Sequence, residues 1–271
     1  MRRIIRVFPR RTKATPNDES AWIGSPDLFV EADAVEVSVT FTWDKLRAER
    51  LAAEWERIAP VTMSGPAIEP PTGDFEPGRF LRHGYTITSR GCPNRCWFCR
   101  AWKGGFRELP VRDGWIVQDD NLLACSEPHI RAVFAMLARQ PKRVSFAGGL
   151  EAARLKDWHV ELLAGLKPRP DVFLAYDEPD DWEPLVVAAG KLREAGFTAA
   201  SHRLRCYVLI GQPGDRLDGA TDRLESVVKL GLTPSAMLYR GPNGTRPSIE
   251  WRRLQRSWMR PAAIHSMLER I

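Results

Sequence analysis

The sequence predicts an α/β protein in which helices cover a parallel β-sheet. Short apolar segments rich in β-branched residues recur along the chain, amphipathic helical segments lie between most of them, and glycine or proline marks many of the junctions. Repeated strand–helix units of this kind produce parallel strands with helices packed on the sheet. At 271 residues, 44% of them hydrophobic, the chain is long enough for one large domain with an appendage.

The first unit, residues 1–82, is predicted to be a small α/β segment. Residues 35–41 alternate between apolar and polar side chains, which predicts a strand, and residues 45–58 carry apolar side chains at helical spacing after Asp44. Residues 60–66 predict a second strand, so this unit is a βαβ motif with a parallel strand pair. A proline-rich connection follows it.

The second unit, residues 83–240, is predicted to hold the main sheet, and residues 241–271 are predicted to be a basic helical C-terminal extension. Repeated strand–helix units of this number fit either a partial (β/α)6 barrel or an open doubly wound sheet, and the pattern alone does not separate the two. The predicted strands are 85–88, 115–118, 143–147, 171–176, 204–210 and 235–240, and the predicted helices are 129–139, 182–195 and 217–230.

The most specific motif is a group of three cysteines that follows the first of these strands. Cys92, Cys96 and Cys99 have the spacing C-x3-C-x2-C, which places three thiols on one short loop. Three thiolates can hold three corners of a 4Fe–4S cube and leave the fourth iron open, whereas ordinary ferredoxin sites supply four cysteines. A zinc site would need a fourth ligand at fixed spacing, and a disulfide framework does not fit five cysteines in a long chain with no predicted signal peptide.

The cysteine loop, with Phe98 directly before the last cysteine, resembles the signature loop of the radical S-adenosylmethionine (SAM) enzymes. The resemblance implies a 4Fe–4S cluster on Cys92, Cys96 and Cys99, SAM bound to the open iron, and an external electron donor of the flavodoxin or ferredoxin type. It also implies a partial (β/α)6 barrel over residues 83–240. The strand endings resemble those of the cobalamin-associated and methylthiotransferase-like branch. The Asp-x-His-x-x-Gly cobalt motif is missing, so the N-terminal unit is interpreted as a cobalamin-free remnant of a Rossmann-like domain.

Polar residues and glycines that follow the predicted strands are the candidate SAM ligands, because ligands bind at the carboxyl ends of parallel strands. Each acidic residue among them could instead cap a helix. The resemblance implies four groups of contacts: Asp119, Asp120 and Asn121 for the amino group or ribose; Gly148, Gly149 and Glu151 as a second set for the amino group; Tyr176, Asp177 and Glu178 for the ribose; and Phe98, Ile210 and Gly211 for adenine.

Cys125 is the candidate catalytic residue outside the cysteine loop. It lies a few residues past the end of the second predicted strand of the main sheet, from where its thiol could donate a hydrogen atom to a substrate radical. The alternative is a small buried apolar side chain, which is the commoner fate of a lone cysteine. Cys206 lies inside a predicted strand and is expected in the core.

Basic residues are concentrated at the two ends of the chain. Residues 1–13 contain six arginines and lysines and no acid, and residues 240–271 contain seven arginines and two glutamates, so the segment between them is net negative although the whole chain carries +6. Arginine beside Trp251 and Trp258 suits phosphate contact and base stacking, which makes a nucleic acid or nucleotide a candidate substrate. Alternatively, these tryptophans pack a helix onto the barrel with Leu254, and the basic ends are solvated surface.

Two other functions remain open at this point. The chain could be a radical SAM enzyme that modifies a peptide or small metabolite, or a non-catalytic iron–sulfur protein that binds nucleic acid. Because no apolar run reaches membrane-spanning length and the N-terminus lacks the apolar region of a signal peptide, we expect no membrane association and a reducing cytoplasmic location. The sequence indicates neither the substrate nor the oligomeric state.

Overall fold

The computed structural model describes residues 2–241, 244–259 and 264, and it confirms an α/β protein. This part of the chain forms two parallel sheets, a two-stranded antiparallel ribbon and six α-helices. Two separate clusters of buried apolar side chains lie beneath the sheets. The first is drawn from residues 5–67 and the second from residues 117–264.

The N-terminal unit is a four-stranded parallel sheet with one helix. Its strands pair in the order β2-β1-β3-β4, all parallel, so the predicted parallel pair β3–β4 is confirmed. Two strands before it were not predicted, and the first of them, Ile-Ile-Arg-Val-Phe, buries Ile5 and Val7 completely. The elements are β1 (Ile4–Phe8), β2 (Ala21–Ile23), β3 (Ala34–Ser38), α1 (Lys45–Trp55) and β4 (Val61–Ser64).

The remaining elements follow one another as strand–helix units. Each strand from β8 to β12 is followed by an α-helix, whereas β5 is followed by the cysteine loop. In chain order the elements are β5 (Tyr85–Thr86), β6 (Ser89–Arg90), β7 (Arg107–Glu108), β8 (Ile116–Val117), α2 (Glu127–Leu137), β9 (Ser145–Phe146), α3 (Asp157–Gly165), β10 (Asp171–Tyr176), α4 (Trp182–Glu194), β11 (Leu204–Ile210), α5 (Leu217–Lys229), β12 (Thr233–Leu238) and α6 (Ile249–Ser257).

The main sheet has the spatial order β5-β8-β9-β10-β11-β12, and every pair in it is parallel. The strands therefore lie side by side in the order of the sequence. A doubly wound sheet contains a point where the strand order reverses, and this sheet has none. The sequential order is compatible with the wall of a partial barrel, and it excludes the doubly wound alternative for the described strands.

The C-terminal extension packs on the main sheet. On α6, Trp251 and Leu254 contact the larger buried cluster, and Trp258 directly after the helix is only 2% exposed. The packing alternative for these residues is thereby confirmed, and Trp258 is not available for base stacking. Residues 242–243, 260–263 and 265–271 of the predicted extension lie outside the described residues. None of the helices in the described part has the length and hydropathy that a membrane crossing requires.

Candidate functional site

The cysteine loop is an excursion from the carboxyl edge of the main sheet, closed at its base by an antiparallel ribbon. Strands β6 and β7 pair Ser89 with Glu108 and Arg90 with Arg107, so residues 91–106 leave and return at the same place. Gly91 has a φ of +81°, and a Cβ there would lie 1.8 Å from the Gly105 carbonyl oxygen. The close crossing of the two ribbon ends therefore requires glycine at position 91.

The three thiols of this loop are free and half-buried. Burial, reinforced by the neighbouring thiols, raises the pKa of Cys96 to about 11, and burial also raises the pKa of Cys99. The Cys99 sulfur accepts a hydrogen bond from the Ala101 backbone N–H at 3.4 Å. Among the described residues, no three His, Cys, Asp or Glu side chains converge closely enough to hold a metal ion.

Asp119 and Asp120 connect the end of β8 to the start of the cysteine loop. Asp119 is 2% exposed, and its carboxylate accepts hydrogen bonds from the Thr88 backbone N–H at 2.6 Å, the Thr88 hydroxyl at 2.6 Å and the Ser89 hydroxyl at 2.9 Å. Asp120 is exposed and accepts from the Gly91 N–H at 2.8 Å. Asp119 therefore braces the loop, and this geometry does not support the expected contact between its carboxylate and a ligand.

Asn121 connects the two sets of residues that are predicted to bind the amino group of SAM. Its side-chain Nδ2 donates to the Cys92 sulfur at 3.3 Å and to Glu151 Oε2 at 2.6 Å, and Arg154 donates to the same oxygen of Glu151 at 2.7 Å. The amide oxygen of Asn121 is buried and accepts no hydrogen bond among the described residues. A buried acceptor without a donor is uncommon in proteins, so this oxygen marks a place where a ligand donor fits.

Gly148 explains how Glu151 reaches Asn121. A Cβ at Gly148 would lie 2.2 Å from the Asp119 backbone oxygen, so only glycine allows the end of β9 to pass so close to the end of β8. The chain then turns at Gly149, and the Leu150 N–H donates to the Phe173 carbonyl at 2.8 Å. This turn directs the following residue, Glu151, toward Asn121 and the cysteine loop.

Trp97 connects the cysteine loop to the opposite side of the sheet edge. Although its side chain is 53% exposed, its indole N–H donates to Glu178 Oε1 at 2.9 Å, and its ring lies 5.4 Å from the ring of Tyr239, centroid to centroid. Glu178 follows β10 and Tyr239 follows β12. Phe98 is half-buried and packs edge-on against Trp97, at 5.5 Å. Loops from distant strands therefore meet above the sheet.

The remaining predicted ligands divide between the two faces of the sheet. Tyr176 and Ile210 pack in the cluster that faces the helices, with Tyr176 beside Trp182 at 5.2 Å. Their side chains therefore lie on the helix side of the sheet, because strand residues alternate between faces, and the contacts expected of these two residues with ribose and adenine stay predictions. Gly211 lies against Leu238 and Trp251, so it packs α6 and not a ligand.

Asp177 lies on the other face, where its carboxylate accepts from the Leu209 N–H at 3.1 Å. Burial, with a contribution from nearby Asp181, raises the pKa of Asp177 to about 7. This carboxyl group can therefore gain or lose a proton near neutral pH. The Asp177 and Glu178 N–H groups both donate to Asp181 Oδ2 at 2.9 Å, so Asp181 stabilises the turn that follows β10.

Residues inside the strands also lie on the face that carries Asp177, which is the inner face of the sheet. The sequence analysis missed them because it considered only strand ends. Phe173 and Tyr207 stack at 4.9 Å, and the Arg205 guanidinium lies 5.3 Å from the Phe173 ring centroid. The Tyr207 hydroxyl donates to the Ala147 carbonyl at 2.9 Å. The signal was present in the sequence, since Arg205 and Tyr207 alternate with Leu204, Cys206 and Val208, which are buried against the helices.

Cys125 and Cys206 both lie in the large apolar cluster. Burial raises the pKa of Cys125 to about 12 and that of Cys206 well above its ordinary value. Cys206 is thus confirmed as a core residue. The structure also gives Cys125 a packing role, and its role as a hydrogen-atom donor stays a prediction.

Two arginines of the basic N-terminus make contacts within the N-terminal unit. Arg6 is largely buried, donates to the Gly78 carbonyl at 2.9 Å and forms an ion pair with Asp18, and Arg10 pairs with the buried Asp44. These two arginines hold the N-terminal unit together, so they are not free to contact the phosphates of a nucleic acid.

Comparison of the sequence with models of known protein families finds no matching family, and comparison with curated proteins finds no matching protein. The functional argument therefore depends on the residues described above.

Proposed function

We propose that this protein is a radical SAM enzyme with a partial (β/α)6 barrel. The observation that carries the proposal is the group of contacts around Asn121: its amide touches the sulfur of the first cysteine and the carboxylate of Glu151, while its buried oxygen lacks a donor. Cys92, Cys96 and Cys99 would hold a 4Fe–4S cluster, because three thiols on one loop suit three corners of the cube.

The donor set fits this cluster. The thiols are unpaired, and amide N–H groups donate to two of the sulfurs, at 3.3 Å for Cys92 and 3.4 Å for Cys99. Hydrogen bonds to cluster sulfurs are a known means of tuning the reduction potential. Since the three side chains do not converge among the described residues, we expect cluster binding to turn them toward one another within residues 92–99.

In such an enzyme the reduced cluster supplies the electron that cleaves SAM to methionine and a 5′-deoxyadenosyl radical. The chain's own residues would bind and orient the SAM molecule. The Asn121 oxygen and Glu151 carboxylate are acceptors that suit an ammonium group, and they lie beside Cys92. Phe98, half-buried on the cysteine loop, offers a ring against which adenine can stack. Glu178 remains the candidate for the ribose, since its Trp97 contact uses only one carboxylate oxygen.

Sheet curvature is supported by the contact between Trp97 and Tyr239. These residues follow β5 and β12, the two edge strands of the sheet. Six strands at about 4.8 Å spacing would put the edges of a flat sheet roughly 24 Å apart, so a ring contact at 5.4 Å is more easily made above a curved sheet. The inner face with Phe173, Tyr207 and Asp177 would then form the lining of a substrate chamber.

The test is anaerobic reconstitution of the full chain with iron and sulfide. We expect about four irons per chain, an electron paramagnetic resonance signal that changes on addition of SAM, and 5′-deoxyadenosine after reduction with dithionite. The triple variant Cys92→Ala/Cys96→Ala/Cys99→Ala should lose all three, whereas Cys125→Ala, the matched control, should retain them.

A cluster that forms without SAM cleavage would contradict the enzyme and support the non-catalytic iron–sulfur alternative. A chain that binds no iron would contradict both.

Substrate classes can be separated by the salt dependence of substrate binding. Binding of a nucleic acid through the exposed arginines should weaken steeply with salt, whereas binding of a peptide or small metabolite should change little.

A further inference from the structure

The N-terminal sheet contains a point at which its strand order reverses. The order is β2-β1-β3-β4 with all strands parallel, so the chain runs from β1 to β2 on one side, then crosses back to β3 on the other side of β1 and continues outward to β4. The loops after β1 and β3 therefore diverge and leave a crevice at the carboxyl ends of these strands. In open parallel sheets, ligands bind in this crevice.

A cavity of about 340 Å³ lies at this position. Residues that follow β1, such as Arg10 and Thr12, and residues that follow β3, such as Thr40 and Phe41, line it together. Its volume falls at the lower end of the roughly 300–1,000 Å³ range of small-molecule pockets. The cavity therefore has room for a mononucleotide-sized molecule and excludes a cofactor as large as a dinucleotide.

The polar lining suits a phosphate group. Arg10 and Asp44 both line the cavity and are paired with each other, whereas Lys13 lines it and forms no ion pair among the described residues, so Lys13 is the cation that can meet a phosphate. The hydroxyls of Thr12 and Thr15 lie 3.0 Å apart and are fixed on one turn. Helix α1 and the helical turn before it begin directly after β3, so a helix N-terminus lies at the same edge.

Aromatic side chains form much of the remaining cavity wall. Phe8, Phe41, Phe80 and Tyr85 line the cavity, and Phe41 stacks on Trp43 with ring centroids 4.7 Å apart. The stacking holds the Phe41 ring in a fixed orientation. The side chain of Gln118 from the main sheet adds an amide donor and acceptor to this wall. A flat ring can therefore lie among these residues while an attached phosphate reaches Lys13.

We propose that this cavity binds a small phosphorylated molecule that carries a planar ring, of the size of a nucleoside monophosphate. The site is lined mainly by the N-terminal unit, with Tyr85 and Gln118 from the main sheet, and it uses none of the cysteine-loop residues. The proposal therefore does not depend on the proposed radical SAM function.

The test is calorimetric titration of the full chain with adenosine 5′-monophosphate, adenosine and inorganic phosphate. We expect the monophosphate to bind with a submillimolar Kd, and adenosine and phosphate each to bind at least tenfold more weakly. Lys13→Gln should weaken monophosphate binding roughly tenfold, the usual order for one charge-assisted phosphate contact. Arg11→Gln makes the same change of charge two residues away on a residue that does not line the cavity, and it should bind as the native chain does.

A cavity-filling variant and the triple cysteine variant provide two further tests. Thr40→Trp should fill the cavity and abolish binding while leaving the melting temperature of the unliganded chain within a few degrees. The triple cysteine variant should bind the monophosphate normally. The proposal is overturned if the native chain does not bind the monophosphate, if Lys13→Gln and Arg11→Gln bind it equally, or if the triple cysteine variant loses binding. Failure to cleave SAM would leave it intact.

Discussion

Among single residues, Asn121 combines two contacts that a ligand site needs. Its Nδ2 donates both to the sulfur of Cys92 and to the carboxylate of Glu151, and its oxygen is buried without a donor. An amide side chain can donate to both the sulfur and the carboxylate and still accept from a bound ammonium group. Position 121 therefore links the proposed cluster to the proposed SAM site.

We predict that Asn121→Ala lowers the rate of 5′-deoxyadenosine formation by 10- to 100-fold, the usual range for removal of a group that supports metal ligands. The reduction potential of the cluster should also shift, because the Cys92 sulfur loses a hydrogen bond. The measurements are product formation by chromatography and a potentiometric titration. Asn17→Ala, an exposed asparagine of the N-terminal unit, is the control. An unchanged potential in Asn121→Ala would contradict the contact.

His159 provides a residue-scale prediction about pH. Its ring is 2% exposed, and its Nδ1 accepts the Lys156 N–H at 3.0 Å. Burial, with Lys156 nearby, lowers its pKa to about 4 from an ordinary value near 6.5. Because the folded-state pKa is depressed, the stabilisation is present above pH 6.5 and is lost as the pH falls toward 4. The loss is on the order of 3 kcal/mol.

Urea denaturation between pH 8 and pH 4.5 measures this loss. His159→Gln keeps an acceptor for the Lys156 N–H and does not titrate, so its stability should fall less steeply below pH 6.5. Equal slopes for the native chain and His159→Gln would show that other groups cause the acid sensitivity.

At the scale of elements, the ends of β5 and β8 are joined by a side chain where their short backbone ladder stops. The two strands pair over only two residues each, and Asp119 continues the connection through three hydrogen bonds to Thr88 and Ser89. The cysteine loop begins directly after Ser89. The position of the loop relative to β8 therefore depends on one buried carboxylate.

We predict that Asp119→Ala destabilises the fold by on the order of 3 kcal/mol, because it leaves buried donors of Thr88 and Ser89 without an acceptor. Asp120→Ala removes one hydrogen bond at an exposed residue and should cost less than about 1 kcal/mol. Chemical denaturation of both variants gives the comparison. Similar values for the two would mean that Asp119 does not brace the strand ends.

The sequence predicted some elements well and others poorly, for identifiable reasons. The long strands β10 and β11 have the predicted bounds, since five and six apolar residues respectively leave little ambiguity. The predicted strands at 85–88, 115–118 and 143–147 shrink to two residues each, because the polar turns after them divert the backbone early. Helix α3 was not predicted, and β1 was considered only as basic sequence.

The residues of the candidate site were also predicted in part. Positions after strands are set by the parallel topology, so Asn121 and Glu151 could be expected near the cysteines from sequence alone. The face to which a strand residue points depends on which side the helices cover. Strand ends alone therefore do not show that Tyr176 and Ile210 lie on the helix side, or that Phe173 and Tyr207 lie on the opposite face.

For the whole molecule, the C-terminal extension is part of the main unit and not a separate tail. Trp258 and Ile264 belong to the same buried cluster as the strands β10 and β11. We predict that Trp258→Ala lowers the free energy of unfolding by about 3–5 kcal/mol, the usual range for a buried tryptophan. Met259→Ala, at a neighbouring residue that is 51% exposed, should change it by less than about 0.5 kcal/mol.

These two values can be measured by urea denaturation of the full chain. If Trp258→Ala unfolds too readily to purify, Trp258→Phe keeps most of the packing and should lose a smaller part of the stability. A Trp258→Ala variant as stable as Met259→Ala would show that the extension does not stabilise the sheet.

The β6–β7 ribbon affects how the protein could gain and lose a bound group after it has folded. Because the ribbon fixes both ends of residues 91–106 at one place, ordering or disordering of the loop does not pull on the sheet. The chain could therefore fold before it acquired the proposed cluster, and a cluster destroyed by oxygen could be replaced without unfolding. The cysteine loop would then bind a new group after each loss while the sheet stayed folded. Repeated rounds of oxidation and repair would leave the same folded molecule.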